Sequence, residues 1–149
     1  MYQKIRIAVD AMGGEGSPEK VINGIVHHFK KEKNIIYKIF GKKDLISSLI
    51  INKLPNSYYE IIDAEDKIED NDTPLTAAKK KDASMFKAIQ SVKNNESDVI
   101  ISAGNTGALF VIAKLNLTMI DSINKPALSG LWPNKRGLNI VLDLGANID

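Results

Sequence analysis

Two kinds of apolar pattern alternate along the chain. Lys4–Asp10 (KIRIAVD) is a β-branched run that stops at Gly13-Gly14, which predicts a strand followed by a tight turn. Ser17-Pro18-Glu19 then reads as a helix start, with Ser17 as N-cap, Pro18 at the first helical position and an acid in the first turn. Val21, Ile22, Ile25 and Phe29 recur behind it at helical spacing. Ile35–Phe40 predicts a second strand. Residues 42–54 predict a helix with Leu45, Ile46 and Leu49 on one side, ending before Pro55, and Tyr58–Asp63 predicts a third strand. Pro74 opens a long helix to about Asn94, Asp98–Ser102 predicts a fourth strand and Asn105–Met119 a fourth helix. Ala127–Trp132 and Asn139–Leu144 predict two more strands, with a hairpin-like return at Pro133-Asn-Lys-Arg-Gly137. Strands alternating with helices predict an α/β fold in three layers, a mostly parallel sheet covered on both faces. With no internal repeat and no low-complexity linker, residues 1–149 read as one folding unit.

Two helices stand out in this pattern. Leu109, Phe110, Val111, Ile112, Ala113, Leu115 and Leu117 leave the fourth helix almost no polar face, so it should be buried on most sides. In the helix after Pro74 the stripe Ala78, Met85, Ile89, Val92 includes position 82, which is aspartate, with Lys81 beside it. A charge on a buried stripe must be paired or functional, and spacing alone favours neither an ion pair nor a site.

Composition narrows the chemistry. The chain has no cysteine, which removes disulfides, thiolate metal sites and a cysteine nucleophile, and His27 and His28 are its only histidines. A histidine triad or a zinc site is therefore not expected. Lys and Arg number 20 against 18 Asp and Glu, a net charge of +2 that does not suit nucleic acid. No apolar run approaches a bilayer span, and Met1–Arg6 lacks a signal core, so an intracellular chain is expected. Seven acids fall between Glu60 and Asp72, which reads as a solvated loop.

Three strands end in similar chemistry: Asp10-Ala-Met-Gly-Gly14, Ser102-Ala-Gly-Asn-Thr-Gly107 and Asp143-Leu-Gly145-Ala-Asn147. In a parallel sheet these turns would share one carboxyl edge, where open α/β sheets bind ligands. The glycines admit close backbone approach. Gly104-Asn105-Thr106-Gly107 lies between a strand and a helix N-terminus, whose free N–H groups favour an anion, usually phosphate. Asn105 or Thr106 also suits an N-cap, and the two roles are compatible. No G-x-x-x-x-G-K-[ST] is present and Gly13–Gly16 is not G-x-G-x-x-G, which points to free phosphate or an acyl-phosphate rather than a dinucleotide.

At these residues the sequence resembles the phosphate acyltransferase family of bacterial phospholipid synthesis. The resemblance is carried by IAVDAMGGEGSPE (7–19), KKDASM (80–85), SAGNTGAL (102–109), KPALSGLWP (125–133) and LDLGANID (142–149). Glu15 and Ala83 stand where the family usually has aspartate and serine. The resemblance implies an isopropylmalate-dehydrogenase- or phosphotransacetylase-like fold with a cleft between two halves, of which this chain covers the N-terminal one. It implies transfer of an acyl group from acyl-acyl-carrier-protein to inorganic phosphate, with no metal and no organic cofactor, in a cytoplasmic protein. A homodimer and peripheral membrane contact would come through the later half. The turn from Ser102 to Gly107 would hold phosphate, with Asp10, Gly13, Gly14, Asp143 and Gly145 lining the site. Lys81 would offset anionic charge with Asp82 orienting it, and Asn105 or Asn147 would donate to the oxyanion. The rival expectations are a phosphotransacetylase-like enzyme using coenzyme A and a catalytically silent binding or assembly module.

Overall fold

The computed structural model describes residues 4–123 and 125–142. The chain divides into two compact units, Met1–Leu117 and Thr118–Asp149. In the first unit, four parallel strands are ordered β3-β2-β1-β4. They are β1 (Ile5–Asp10), β2 (Ile35–Gly41), β3 (Tyr59–Asp63) and β4 (Val99–Ile101). Helices α1 (Glu19–Lys31) and α2 (Lys43–Ile50) cover one face. Their Ile22, Ile25, Ile46 and Ile50 pack on Ile7, Val9, Tyr37 and Ile39 of the strands. The short α3 (Pro74–Ala77), α4 (Ser84–Lys93) and α5 (Thr106–Asn116) belong to the other face, where Ala88 meets Ala8 and Phe40, and Met85 and Ile89 meet Ala108 and Ile112. This is the expected α/β layering. Alternation along β1 sends Ile7 and Val9 to one layer and Ala8 and Asp10 to the other.

The boundaries differ from expectation where local geometry decides them. Ser17 does not cap α1: its hydroxyl donates to the Gly13 carbonyl at 2.6 Å, and Pro18 takes the N-cap position. Helix α2 stops at Ile50 rather than Leu54, followed by Asn52 in the left-handed region at φ 60°. Its apolar side is Ile46, Ile50 and the partly buried Leu49, and Leu45 is exposed.

The long helix expected from Pro74 to Asn94 is two helices. After α3 the chain turns, and Ala83 is extended (φ −68°, ψ 143°) in a parallel bridge with Asp66. Ser84 N donates to Asp66 O at 3.1 Å before α4 begins. The break takes position 82 off the buried stripe, so the expectation of a buried charge there is corrected. Asp82 is 81% exposed and pairs at 3.4 Å with Lys87, not with Lys81. Helix α5 is covered less than its composition suggests: Ala108 and Ile112 are buried, whereas Leu115 is 67% exposed.

In the second unit, β5 (Ser129–Asn134) and β6 (Gly137–Leu142) form an antiparallel hairpin. Asn134 Oδ1 accepts from Arg136 N at 2.7 Å and shapes the turn. The hairpin return is as expected, and within this unit β5 and β6 pair antiparallel, because a turn this short cannot supply the crossover of a dozen or more residues that parallel pairing needs. Among the described residues, no helix is long and apolar enough to cross a membrane.

Candidate functional site

The strand order places a switch point between β1 and β4. From β1 the chain steps outward through α1 to β2 and through α2 to β3. It returns by way of α3 and α4 and adds β4 on the opposite side of β1. The carboxyl end of the sheet at such a reversal is the usual ligand position in an open α/β sheet. Here the turns are those after Asp10 and after Ile101.

Asp10 ties them together. It is 2% exposed, and its Oδ1 accepts from the Ser84 hydroxyl at 2.6 Å and from Met12 N at 3.2 Å. Its Oδ2 accepts from the Ser102 hydroxyl at 2.7 Å, and Ser102 Oγ in turn accepts from Gly104 N at 3.2 Å. One carboxylate thus joins β1, the start of α4 and the end of β4. Both oxygens have partners, which answers the cost of burying the charge. The turns also touch through backbone. A Cβ on Gly13 would lie 2.5 Å from Asp10 Oδ2 and 2.9 Å from Gly104 N; one on Gly14, at φ +87°, would lie 2.7 Å from Ala103 O. Only glycine permits this approach.

Behind the second turn, α5 opens with Asn105 as N-cap. Its side-chain carbonyl accepts from Ala108 N at 3.0 Å, and Leu109 N makes the first helical bond to Asn105 O at 3.0 Å. The amides of Thr106 and Gly107 precede that bond and point out of the helix end. Free N–H groups and the dipole at a helix N-terminus favour negative charge in general. The Asn105 Nδ2 group faces the carbonyls of Glu69, Asp70 and Asp72 at 3.4, 3.2 and 3.0 Å, and so anchors the acidic loop to α5.

Asp10, Gly13, Gly14, Ser102, Gly104, Thr106 and Gly107 are therefore gathered at one end of the sheet, as their spacing suggested. Lys81 and Asp82 lie in the turn between α3 and α4. Lys81 Nζ sits 4.1 Å above the Phe86 ring, and neither residue is hydrogen-bonded to the glycine turns. Asp143, Gly145 and Asn147 lie outside the described residues. Sequence reasoning missed Ser84, which is 1% exposed and bonded to Asp10. It lies inside the KKDASM segment (80–85) that carries the resemblance, but nothing local in the sequence marks its pairing with Asp10.

Two cavities flank the glycine turns. One of about 510 Å³ lies between the Met12–Ser17 turn and the acidic loop, with Glu15, Glu65, Asp66, Glu69 and Asp70 against Lys42 and Lys67. This acid-rich wall opposes an anion. The other, of about 500 Å³, lies under α1 and is walled mainly by apolar residues, including Ile7, Val9 and Ile101. In the acidic loop, Lys80 Nζ meets Asp72 at 2.7 Å; this hydrogen bond holds the Asp72 carboxyl below its ordinary range and raises Lys80. No cluster of three or more potential metal ligands occurs among the described residues.

A phosphate acyltransferase of Pelagibacter ubique is 58% identical over the whole chain, which covers 45% of that protein. Those of Beijerinckia indica and Clostridium acetobutylicum are 36% and 41% identical over 99% and 96% of the chain, covering 39% and 44% of theirs. The chain thus spans less than half the length of these relatives. The model of the family described as "Fatty acid synthesis protein" matches residues 5–149, and the chain belongs to that family.

Proposed function

We propose that the whole protein transfers a fatty acyl group from acyl-acyl-carrier-protein to inorganic phosphate and releases acyl-phosphate. The observation that carries this reading is the contact of the Gly13-Gly14 and Ala103-Gly104 turns beside the open amides of Thr106 and Gly107. That arrangement favours a small, compact anion, and the relatives named above are called phosphate acyltransferases.

In the proposed reaction, the Thr106 and Gly107 amides hold hydrogen phosphate and orient one oxygen toward the thioester. That oxygen attacks the carbonyl carbon and forms a tetrahedral oxyanion. The C–S bond then breaks, the proton carried by phosphate passes to the departing thiolate, and acyl-phosphate and free carrier thiol remain. Phosphate is the nucleophile, so no covalent enzyme intermediate is needed. Asp10 acts at one remove: its oxygens are occupied by Ser84, Ser102 and Met12 N, and it fixes the turns without touching the phosphate. Exposed Lys81 offsets part of the dianion's charge. The Asn105 amide faces the acidic loop at 3.0 Å from the Asp72 carbonyl, and Asn105 or Asn147 is the proposed oxyanion donor. For the whole protein we propose a homodimer with peripheral membrane contact.

The test is acyl-phosphate formation by the full-length protein, trapped as hydroxamate with hydroxylamine, from acyl-carrier thioester and phosphate. Product that requires phosphate and forms faster from the carrier thioester than from the coenzyme A thioester is expected. Preference for coenzyme A would favour the phosphotransacetylase-like reading. Absence of hydroxamate with either donor would favour the binding module.

A further inference from the structure

The KKDASM segment contributes only Lys81 to the steps above. Its last three residues, Ala83, Ser84 and Met85, turn inward and are buried. The bridge between Ala83 and Asp66, with Ser84 N donating to Asp66 O at 3.1 Å, sets Ser84 at the first position of α4. From there its hydroxyl donates to Asp10 Oδ1 at 2.6 Å, and the Met85 methyl lies 3.1 Å from where a Cβ on Gly104 would sit. The start of α4 thus supports the Ser102–Gly104 turn in two ways, through Asp10 and by direct packing.

The bonding around Asp10 has a direction. A carboxylate only accepts, so its three partners all donate: Ser84 Oγ and Met12 N to Oδ1, and Ser102 Oγ to Oδ2. A serine hydroxyl has one proton. That of Ser102 is spent on Asp10, and the same oxygen accepts from Gly104 N at 3.2 Å. Were Ser102 to turn its proton to a phosphate, Oδ2 of a buried carboxylate would lose the Ser102 bond, at the cost of an unmade hydrogen bond to a charged group. The plane of the carboxylate is set from the other side. Rotation about the Asp Cβ–Cγ bond is soft, so the partners decide where the oxygens point. Ser84 makes the shorter of the two bonds to Oδ1, and while it holds, Oδ2 faces Ser102.

We infer that Ser84 is a positioning residue for the phosphate substrate: acting through Asp10, it locks Ser102 and Gly104 N into bonds within the protein, so that both shape the turn and neither is a phosphate ligand. The inference rests on the proposed transfer to phosphate and gives the buried end of KKDASM a part in it. It narrows the expected phosphate turn to its second half, the amides of Thr106 and Gly107.

The experiment is a double-mutant cycle of Ser84→Ala and Ser102→Ala in the full-length protein, read as the phosphate KM and the urea midpoint. Ser84→Ala alone should raise the phosphate KM roughly five- to fiftyfold, a span typical of coupling within one hydrogen-bond network, and leave the KM for the carrier thioester within about twofold of wild type. In the Ser102→Ala background the same change should leave the phosphate KM unaltered, because the residue it acts through is gone, while the urea midpoint falls again. A merely structural role would move both readouts in both backgrounds. KM effects that multiply, or a wild-type phosphate KM in Ser84→Ala, overturn the inference. Ser102→Thr keeps the hydroxyl and takes the place of Ser102→Ala if the double variant does not fold: there Ser84→Ala should raise the phosphate KM as it does in wild type, and no rise overturns the inference. If the wild type forms no acyl-phosphate from any thioester, the acyl-transfer reading fails. The cycle is then read from the dissociation constant of inorganic phosphate by calorimetric titration: the same non-additivity supports the inference, and multiplying effects or no binding to the wild type overturn it.

Discussion

Removing the Ser84 hydroxyl should loosen the site from behind. Ser84 and Asp10 are 1% and 2% exposed, and their bond is 2.6 Å long. In Ser84→Ala, Asp10 Oδ1 keeps only the longer contact from Met12 N at 3.2 Å. A hydrogen bond to a charged group contributes roughly 1.5–3 kcal/mol, and the bereft acceptor is too buried to recover it from water. The loss should fall near 2 kcal/mol. With a urea slope of about 2 kcal/mol per M, the unfolding midpoint should drop by about 1 M at unchanged slope. Ser48→Ala, which removes an exposed hydroxyl bonded to Leu45 O on α2, is the control and should stay within about 0.5 kcal/mol of wild type. A midpoint for Ser84→Ala that matches this control would refute the argument, because it would mean that Asp10 does not depend on Ser84. In the same variant the phosphate KM should rise, since Asp10 also holds the Ser102 turn.

Gly13→Ala forces a Cβ to 2.5 Å from Asp10 Oδ2 and 2.9 Å from backbone N of Gly104, so it should cost roughly 1–3 kcal/mol; Gly107→Ala, with its nearest contact at 3.4 Å, should not, and equal urea midpoints would contradict this. The Lys80–Asp72 hydrogen bond depresses the Asp72 pKa, so its stabilisation is present above the unfolded value near 4 and is lost as pH falls through the lower folded one. Asp72→Asn should therefore be less stable than wild type at neutral pH, with the gap closing on acidification; a gap independent of pH would disprove the pairing. Lys81→Met should lower turnover while stability stays within about 1 kcal/mol, whereas Asp82→Asn, at an exposed position, should leave both near wild type. Steady-state kinetics and urea unfolding on the same samples decide between them.

The layered α/β arrangement was legible because strands and helices of the first unit carry clear periods of two and near three and a half, bounded by glycine and proline. The gathering of Asp10, Gly13, Gly14, Ser102 and Gly104 was legible for the same reason: parallel strands put their carboxyl ends on one edge. The break between α3 and α4 was not, because no glycine or proline marks it. It is imposed by distant partners, with Ala83 bridged to Asp66 and Ser84 bonded to Asp10. Asp82 consequently looked buried when counted along one continuous helix. Ser84 escaped notice because its importance lies in a residue far away in sequence. Asn105 was recognised as a cap, but its hold on three carbonyls of the acidic loop depends on how that loop folds back, which periodicity cannot show.

The short ladder between β1 and β4 sets the order in which the chain can become competent. Arg6 grips Asp98 through two guanidinium contacts at one end, and Asp10 takes the Ser102 hydroxyl at the other; each pair is 92 residues apart. The equal offset means that both clamps specify one register, and a slip of one residue would turn Ile101 and Ser102 to the wrong faces. By contrast, β1 and β2 join residues such as Ile5 and Ile35. Loop-closure entropy favours the nearer pairing. A growing chain can therefore assemble β1, α1 and β2 while residues 98–102 are still being synthesised. The apolar cavity wall and the first glycine turn would then exist before the second turn arrives. The proposed phosphate site would be complete only at that last closure, so phosphate bound there would stabilise the completed sheet and have no hold on its precursors.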